Sequence, residues 1–69
     1  MGLSARNQLT GTIRSVKLGT VMAEVVLDVG GQEIVSAITR DSAERLGLSE
    51  GNHITAIIKA TEVLIATED

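Results

Sequence analysis

Between positions 21 and 29 the chain alternates with period two. Val21, Ala23, Val25, Leu27 and Val29 share one face, with Met22, Glu24, Val26 and Asp28 on the other, the pattern of a half-buried strand. Gly30-Gly31 follows, a pair suited to the positive φ angles of a tight hairpin turn. Residues 33–39 are therefore predicted to return as the partner strand, with Ile34, Ser36 and Ile38 opposite in phase to Val35, Ala37 and Thr39. Upstream, residues 9–16 form a first strand carrying Thr10, Thr12, Ile13 and Val16. Downstream, residues 53–59 form another, Ala60-Thr61-Glu62 bends the chain, and Val63-Leu64-Ile65-Ala66 is a candidate fifth strand.

One segment breaks the period. In Asp41-Ser42-Ala43-Glu44-Arg45-Leu46-Gly47-Leu48, Asp41 and Glu44 have capping-box spacing with Asp in place of Ser or Thr. Gly47 stands where a helix end favours a left-handed residue. A helix of about two turns fits between them, and Ser49-Glu50-Gly51-Asn52 reads as a turn. The fold class this predicts is all-β: a small OB-like β-barrel of four to five strands with one short helix. Met22, Val26 and Ile57 make the second strand faces too apolar for open water. A subunit interface is the expected reason, scattered surface apolar residues the alternative.

Composition sharpens the case for a partner. The 69 residues make a single domain spanning 1–69, with no Cys, Phe, Tyr or Trp and one His. A chain of this size buries a modest fraction of its surface and draws support from disulfides, metals or association. Disulfides are excluded, and so is a metal site built from Cys or several His, which leaves a homo-oligomer. The net charge of −3 and the absence of aromatics argue against nucleic acid as a partner. No run approaches a membrane span and the N-terminus lacks an apolar signal region, so a cytoplasmic location with no membrane partner is expected.

Enzymatic readings fail for want of groups. His53 is the lone imidazole, standing at a strand end. Glu24 and Asp28 alternate on a face that reads as solvated, and no phosphate-binding GxxxxGK[ST] loop occurs. What remains are segments rich in donors: Ser4-Ala5-Arg6-Asn7, Thr39-Arg40-Asp41-Ser42 and Lys59-Ala60-Thr61. The second places hydroxyls and free amides at a helix start, which suits an anion. Singly, each has an ordinary reading: Arg6 as a surface arginine, Ser42 as a first-turn residue, Lys59 as an edge lysine.

Together they carry a resemblance. Ser4-Ala5-Arg6-Asn7-Gln8-Leu9-Thr10-Gly11, then Ala37-Ile38-Thr39 leading to Leu46-Gly47-Leu48 and Gly51, then Thr55-Ala56-Ile57-Ile58-Lys59-Ala60-Thr61-Glu62-Val63 resemble the molbindin (Mop) family of small molybdate-binding proteins. The same module recurs in molybdate-responsive regulators and molybdate-transporter ATPases. The resemblance runs from Leu3 to about Ala66, in family order and spacing. It implies a non-catalytic protein that binds molybdate, and also tungstate, for intracellular molybdenum storage and homeostasis. The alternative is an oxyanion-sensing regulatory module acting on a partner protein. It further implies a hexamer built as a trimer of dimers, with oxyanions held between subunits and no organic cofactor or free metal cation. By position the site comprises Ser4, Arg6, Thr39, Ser42, Lys59 and the backbone of Ala60, flanked by Ala5 and Asn7. A second site is implied near the threefold axis, at the backbone of Gly19, Thr20, Val21 and Met22.

The chemistry is compatible. Molybdate near neutral pH is a dianion with four acceptor oxygens and no proton to give, so its ideal site offers donors alone. The matched residues contain no carboxylate. Asp41 lies beside Ser42 and is expected to turn into its own helix cap.

Overall fold

The computed structural model describes residues 2–68; Met1 and Asp69, the ends of the expected domain, lie outside it. Four strands form one antiparallel sheet in the order β3-β2-β1-β4: β1 is Asn7–Leu18, β2 Met22–Val29, β3 Gln32–Thr39 and β4 His53–Ile58. A short helix, α1 (Arg40–Arg45), joins β3 to β4, and a 3-10 turn at Ala60–Glu62 follows β4. The order strand, strand, strand, helix, strand is the expected OB-like one.

The long first strand organises the sheet. Its first half pairs with β4, from Asn7 opposite Ile58 to Thr12 opposite His53. Its second half pairs with β2, from Thr12 opposite Asp28 to Leu18 opposite Ala23. The register slips between Ile13 and Ser15, leaving Arg14 as an extra residue. Such a bulge re-phases the strand: Ile13 and Val16, an odd and an even position, both pack into the core. Arg14 points out and pairs with Glu33 at 2.8 Å. Gly11 lies where the end of β2 crosses closely, and a Cβ there would stand 2.3 Å from the Asp28 carbonyl oxygen.

The face read from the alternation of β2 is the buried one: Ala23, Val25 and Leu27 join Ile13 and Ala43 as the fully buried apolar residues. Ile34, Ile38, Ile54 and Ala56 pack around them. Gly30 and Gly31 take positive φ angles of 59° and 86°, and the β2–β3 hairpin closes with Val29 opposite Gln32.

Two expectations are corrected. Helix α1 is capped by Thr39, not Asp41: the Thr39 side chain accepts from the Ser42 N–H, and Asp41 sits inside the first turn. The helix starts straight from the strand because Thr39 is still paired with Met22 and the Arg40 N–H is held by the Val21 carbonyl at 2.8 Å. Glu44 pairs with Arg40 at 3.6 Å instead of closing a capping box. Further on, residues 63–66 form no strand, and the barrel is not closed within one chain. The turn at Ala60–Glu62 carries the chain off the sheet, so Leu64 and Ile65 stand 92% and 86% exposed. The outer edges of β3 and β4 consequently have no strand partner among the described residues. Between them lies an apolar cavity of about 440 Å³, with Lys59 and Glu62 as its charged members.

Candidate functional site: two groups of oxyanion donors

The residues expected to bind an anion fall into two groups. The first is assembled where β1 begins and β4 ends. Asn7 pairs in register with Ile58, and its Nδ2 donates to the Ile58 carbonyl at 3.2 Å. Gln8 Nε2 donates back to the Ala5 carbonyl at 3.0 Å, tying the leading segment to the strand. Ser4, Ala5, Arg6 and Asn7 are thereby set beside Lys59 and Ala60, which leave β4 through the 3-10 turn. That turn is closed by the Glu62 N–H to the Lys59 carbonyl at 2.9 Å. Ser4, Arg6, Lys59 and Ala60 are exposed, so two cations and a hydroxyl face outward with no carboxylate paired to Arg6 or Lys59 among the described residues.

The second group sits at the start of α1. Thr39 Oγ1 donates to Ser42 Oγ at 2.8 Å and accepts from the Ser42 N–H at 3.1 Å. The segment expected to make the second site, Gly19 to Met22, lies against it. Thr39 pairs with Met22, the Val21 carbonyl takes the Arg40 N–H, and the Gly19 carbonyl takes Arg40 Nη1 at 3.2 Å. The Gly19 N–H is itself engaged by the Met22 carbonyl at 2.7 Å.

Asn7 opens β1 and Leu18 closes it, twelve residues in all, about 36 Å of strand contour at 3.3 Å per residue. The first group belongs to the Asn7 end and the second to the Leu18 end. Neither a hydrogen bond nor a register pair links them among the described residues. The cavity between β3 and β4 is lined mostly by aliphatic side chains, with Glu62 at its wall beside Lys59, a setting that disfavours a desolvated dianion.

Two cations near the second group were not among the expected site residues: Arg40, noted only within a donor-rich segment, and Arg45. Arg40 packs its guanidinium on the Gly19 carbonyl, and Arg45 Nη2 donates to Ser42 Oγ at 3.3 Å. The available signal was the i, i+3 spacing of Ser42 and Arg45, which places both on one helix face. Among the described residues no three His, Cys, Asp or Glu side chains cluster as metal ligands.

An open four-stranded antiparallel sheet with one helix before its last strand defines this chain as a small OB-like all-β domain. The profile of the TOBE domain matches residues 3–65. Molybdenum-pterin-binding protein 3 of Clostridium pasteurianum is 53% identical over 66 residues, spanning 94% of this chain and 97% of that protein. Among solved structures, a molybdate-binding protein from Sporomusa ovata superposes with a TM-score of 0.93 at 45% identity, covering 97% of this chain and 100% of that one. The cytoplasmic molybdate-binding protein ModG, in a molybdate-bound form, gives a TM-score of 0.83 at 39% identity over 87% of this chain and 43% of that one. The chain belongs to the TOBE-domain family, on its molbindin (Mop) branch.

Proposed function

We propose that this chain is a non-catalytic molybdate-binding protein, a single domain over residues 1–69 that holds the oxyanion between subunits of a homo-oligomer. The observation that carries the reading is the division of a donor-bearing set without carboxylates into two separate groups. Ser4, Ala5, Arg6, Asn7, Lys59 and Ala60 form one, and Ser42, with Thr39 holding its hydroxyl, the other. Neither group encloses four oxygens, and two copies can present one of each to the same anion. The hydroxyls, amides and cations match a fully deprotonated tetrahedral dianion. Tungstate, of the same charge and shape, is bound comparably. A protein of net charge −3 binds an anion because Arg6 and Lys59 set the local field. The Gly19–Met22 turn is the candidate for a further site shared by several subunits.

Association is supported by what one chain leaves uncovered. The buried core among the described residues is five small or medium aliphatic side chains. Two strand edges flank an open apolar cavity, and Leu64 and Ile65 of the tail are left almost fully exposed by the described residues. A second copy can supply that cover, and a hexamer built as a trimer of dimers is the assembly proposed. The role is storage and homeostasis of molybdenum in the cytoplasm, in keeping with the cytoplasmic relative.

Native mass spectrometry with and without molybdate, with equal sulfate as control, tests the reading. A hexamer that gains discrete molybdate masses, and not sulfate, is expected. A monomer, or an oligomer indifferent to molybdate, overturns it.

A further inference from the structure

The hydroxyl of Ser42 is held from two sides. Thr39 Oγ1 donates to it at 2.8 Å, and Arg45 Nη2 donates to the same oxygen at 3.3 Å. A serine oxygen has two lone pairs and one proton. With both lone pairs taken, the proton is what Ser42 can still offer a ligand. Arg45 has no acceptor to reverse the sense of its bond. It is also uncommitted to any carboxylate among the described residues, whose ion pairs are Arg14–Glu33 and Arg40–Glu44.

We propose that Arg45 is a positioning residue of the oxyanion site, one that fixes Ser42 as a donor-only hydroxyl and so favours fully deprotonated anions over protonated ones. The proposal rests on the molybdate reading above. α1 is six residues long, and the device is made of three side chains rather than of the helix amides. Its effect on selectivity follows from proton counting. Molybdate brings acceptors alone and is satisfied by donors. Hydrogen phosphate brings a proton that needs an acceptor, and a Ser42 oxygen filled by Thr39 and Arg45 cannot supply one. Removing Arg45 frees a lone pair and lets Ser42 serve either anion. The guanidinium also adds a positive charge close to the ligand without having to touch it.

Isothermal titration of the assembled protein with molybdate, and separately with phosphate, provides the test. The variants are Arg45→Ala, Arg45→Lys, Ser42→Ala and the Ser42→Ala/Arg45→Ala double variant, each checked for its far-UV circular dichroism. Arg45→Ala is expected to weaken molybdate about five- to tenfold, the scale of one charge-assisted donor at a solvated position. The molybdate-to-phosphate affinity ratio should narrow, and Arg45→Lys should recover part of the loss. In the Ser42→Ala background the same change should matter less than about twofold, because residues acting through one contact are non-additive. An Arg45→Ala protein with wild-type affinity and ratio overturns the inference while leaving molybdate binding intact. So does an equal loss with Ser42 already removed. A wild-type protein that takes up no molybdate overturns the functional reading, and this inference with it.

Discussion

Replacing Gly11 by alanine is expected to destabilise the fold out of proportion to the single carbon added. The new Cβ would lie 2.3 Å from the Asp28 carbonyl oxygen and 3.0 Å from Val29 Cγ2. Close carbon–oxygen contacts in sheets settle at about 3.3–3.6 Å, so the crossing backbone must retreat by about 1 Å. Backbone yields poorly here, because Asp28 is paired to Thr12 on one side and to Glu33 on the other. Overpacking costs about 1–3 kcal/mol, and each ladder hydrogen bond lost adds about 0.5–1.5 kcal/mol. The sum is about 2–4 kcal/mol. For a domain of this size a loss of 1 kcal/mol lowers the melting temperature by about 4–8 °C, so a fall of at least about 8 °C is expected. Thermal unfolding followed by far-UV circular dichroism measures it, at fixed protomer concentration because association is linked to stability. Gly2→Ala, where nothing lies within 4 Å of the added carbon, is the control. A Gly11→Ala protein that melts within about 3 °C of wild type would refute the claim that the β1–β2 crossing is sterically full.

Other outcomes test the site and the assembly. Arg6→Ala should weaken molybdate binding by about 1.5–3 kcal/mol, the scale of a hydrogen bond to a charged group; an unchanged titration would remove Arg6 from the site. Thr39→Val keeps the shape of the side chain but removes the oxygen that accepts from the Ser42 N–H. It should cost about 1 kcal/mol of stability without ligand, visible in denaturant unfolding, and should lower molybdate affinity as well. Leu64→Asp with Ile65→Asp places charges on the two most exposed large apolar side chains among the described residues. If these are covered by another copy, each loses about 1.5–3 kcal/mol of burial, and the oligomer should dissociate on dilution in native mass spectra. An assembly as robust as wild type would show that the tail is not part of the interface.

Much was legible from the chain itself because the signals were local. The alternation over residues 21–29 gave the buried face of β2, with Ala23, Val25 and Leu27 inside. The glycine pair gave the hairpin, and Gly47 gave the helix end, adopting the left-handed φ of 64° it was expected to take. Donor chemistry at Ser4, Arg6, Thr39, Ser42 and Lys59 is likewise a property of residue type, and the resemblance tied those positions together. Tertiary structure decided what depends on neighbours distant in sequence. The bulge at Arg14 arises from the need to turn both Ile13 and Val16 inward. Thr39 wins the helix cap over Asp41 because pairing with Met22 and the bond from Arg40 to Val21 fix where the strand stops. Residues 63–66 have the composition of a strand, yet a strand exists only where an edge meets it, and the turn at Ala60–Glu62 leads them away from their own sheet. The division of the donors between the two ends of β1, and the contact of Arg45 with Ser42, follow from strand register and helix phase. Period and composition specify which face a residue occupies; the three-dimensional fold sets which faces meet.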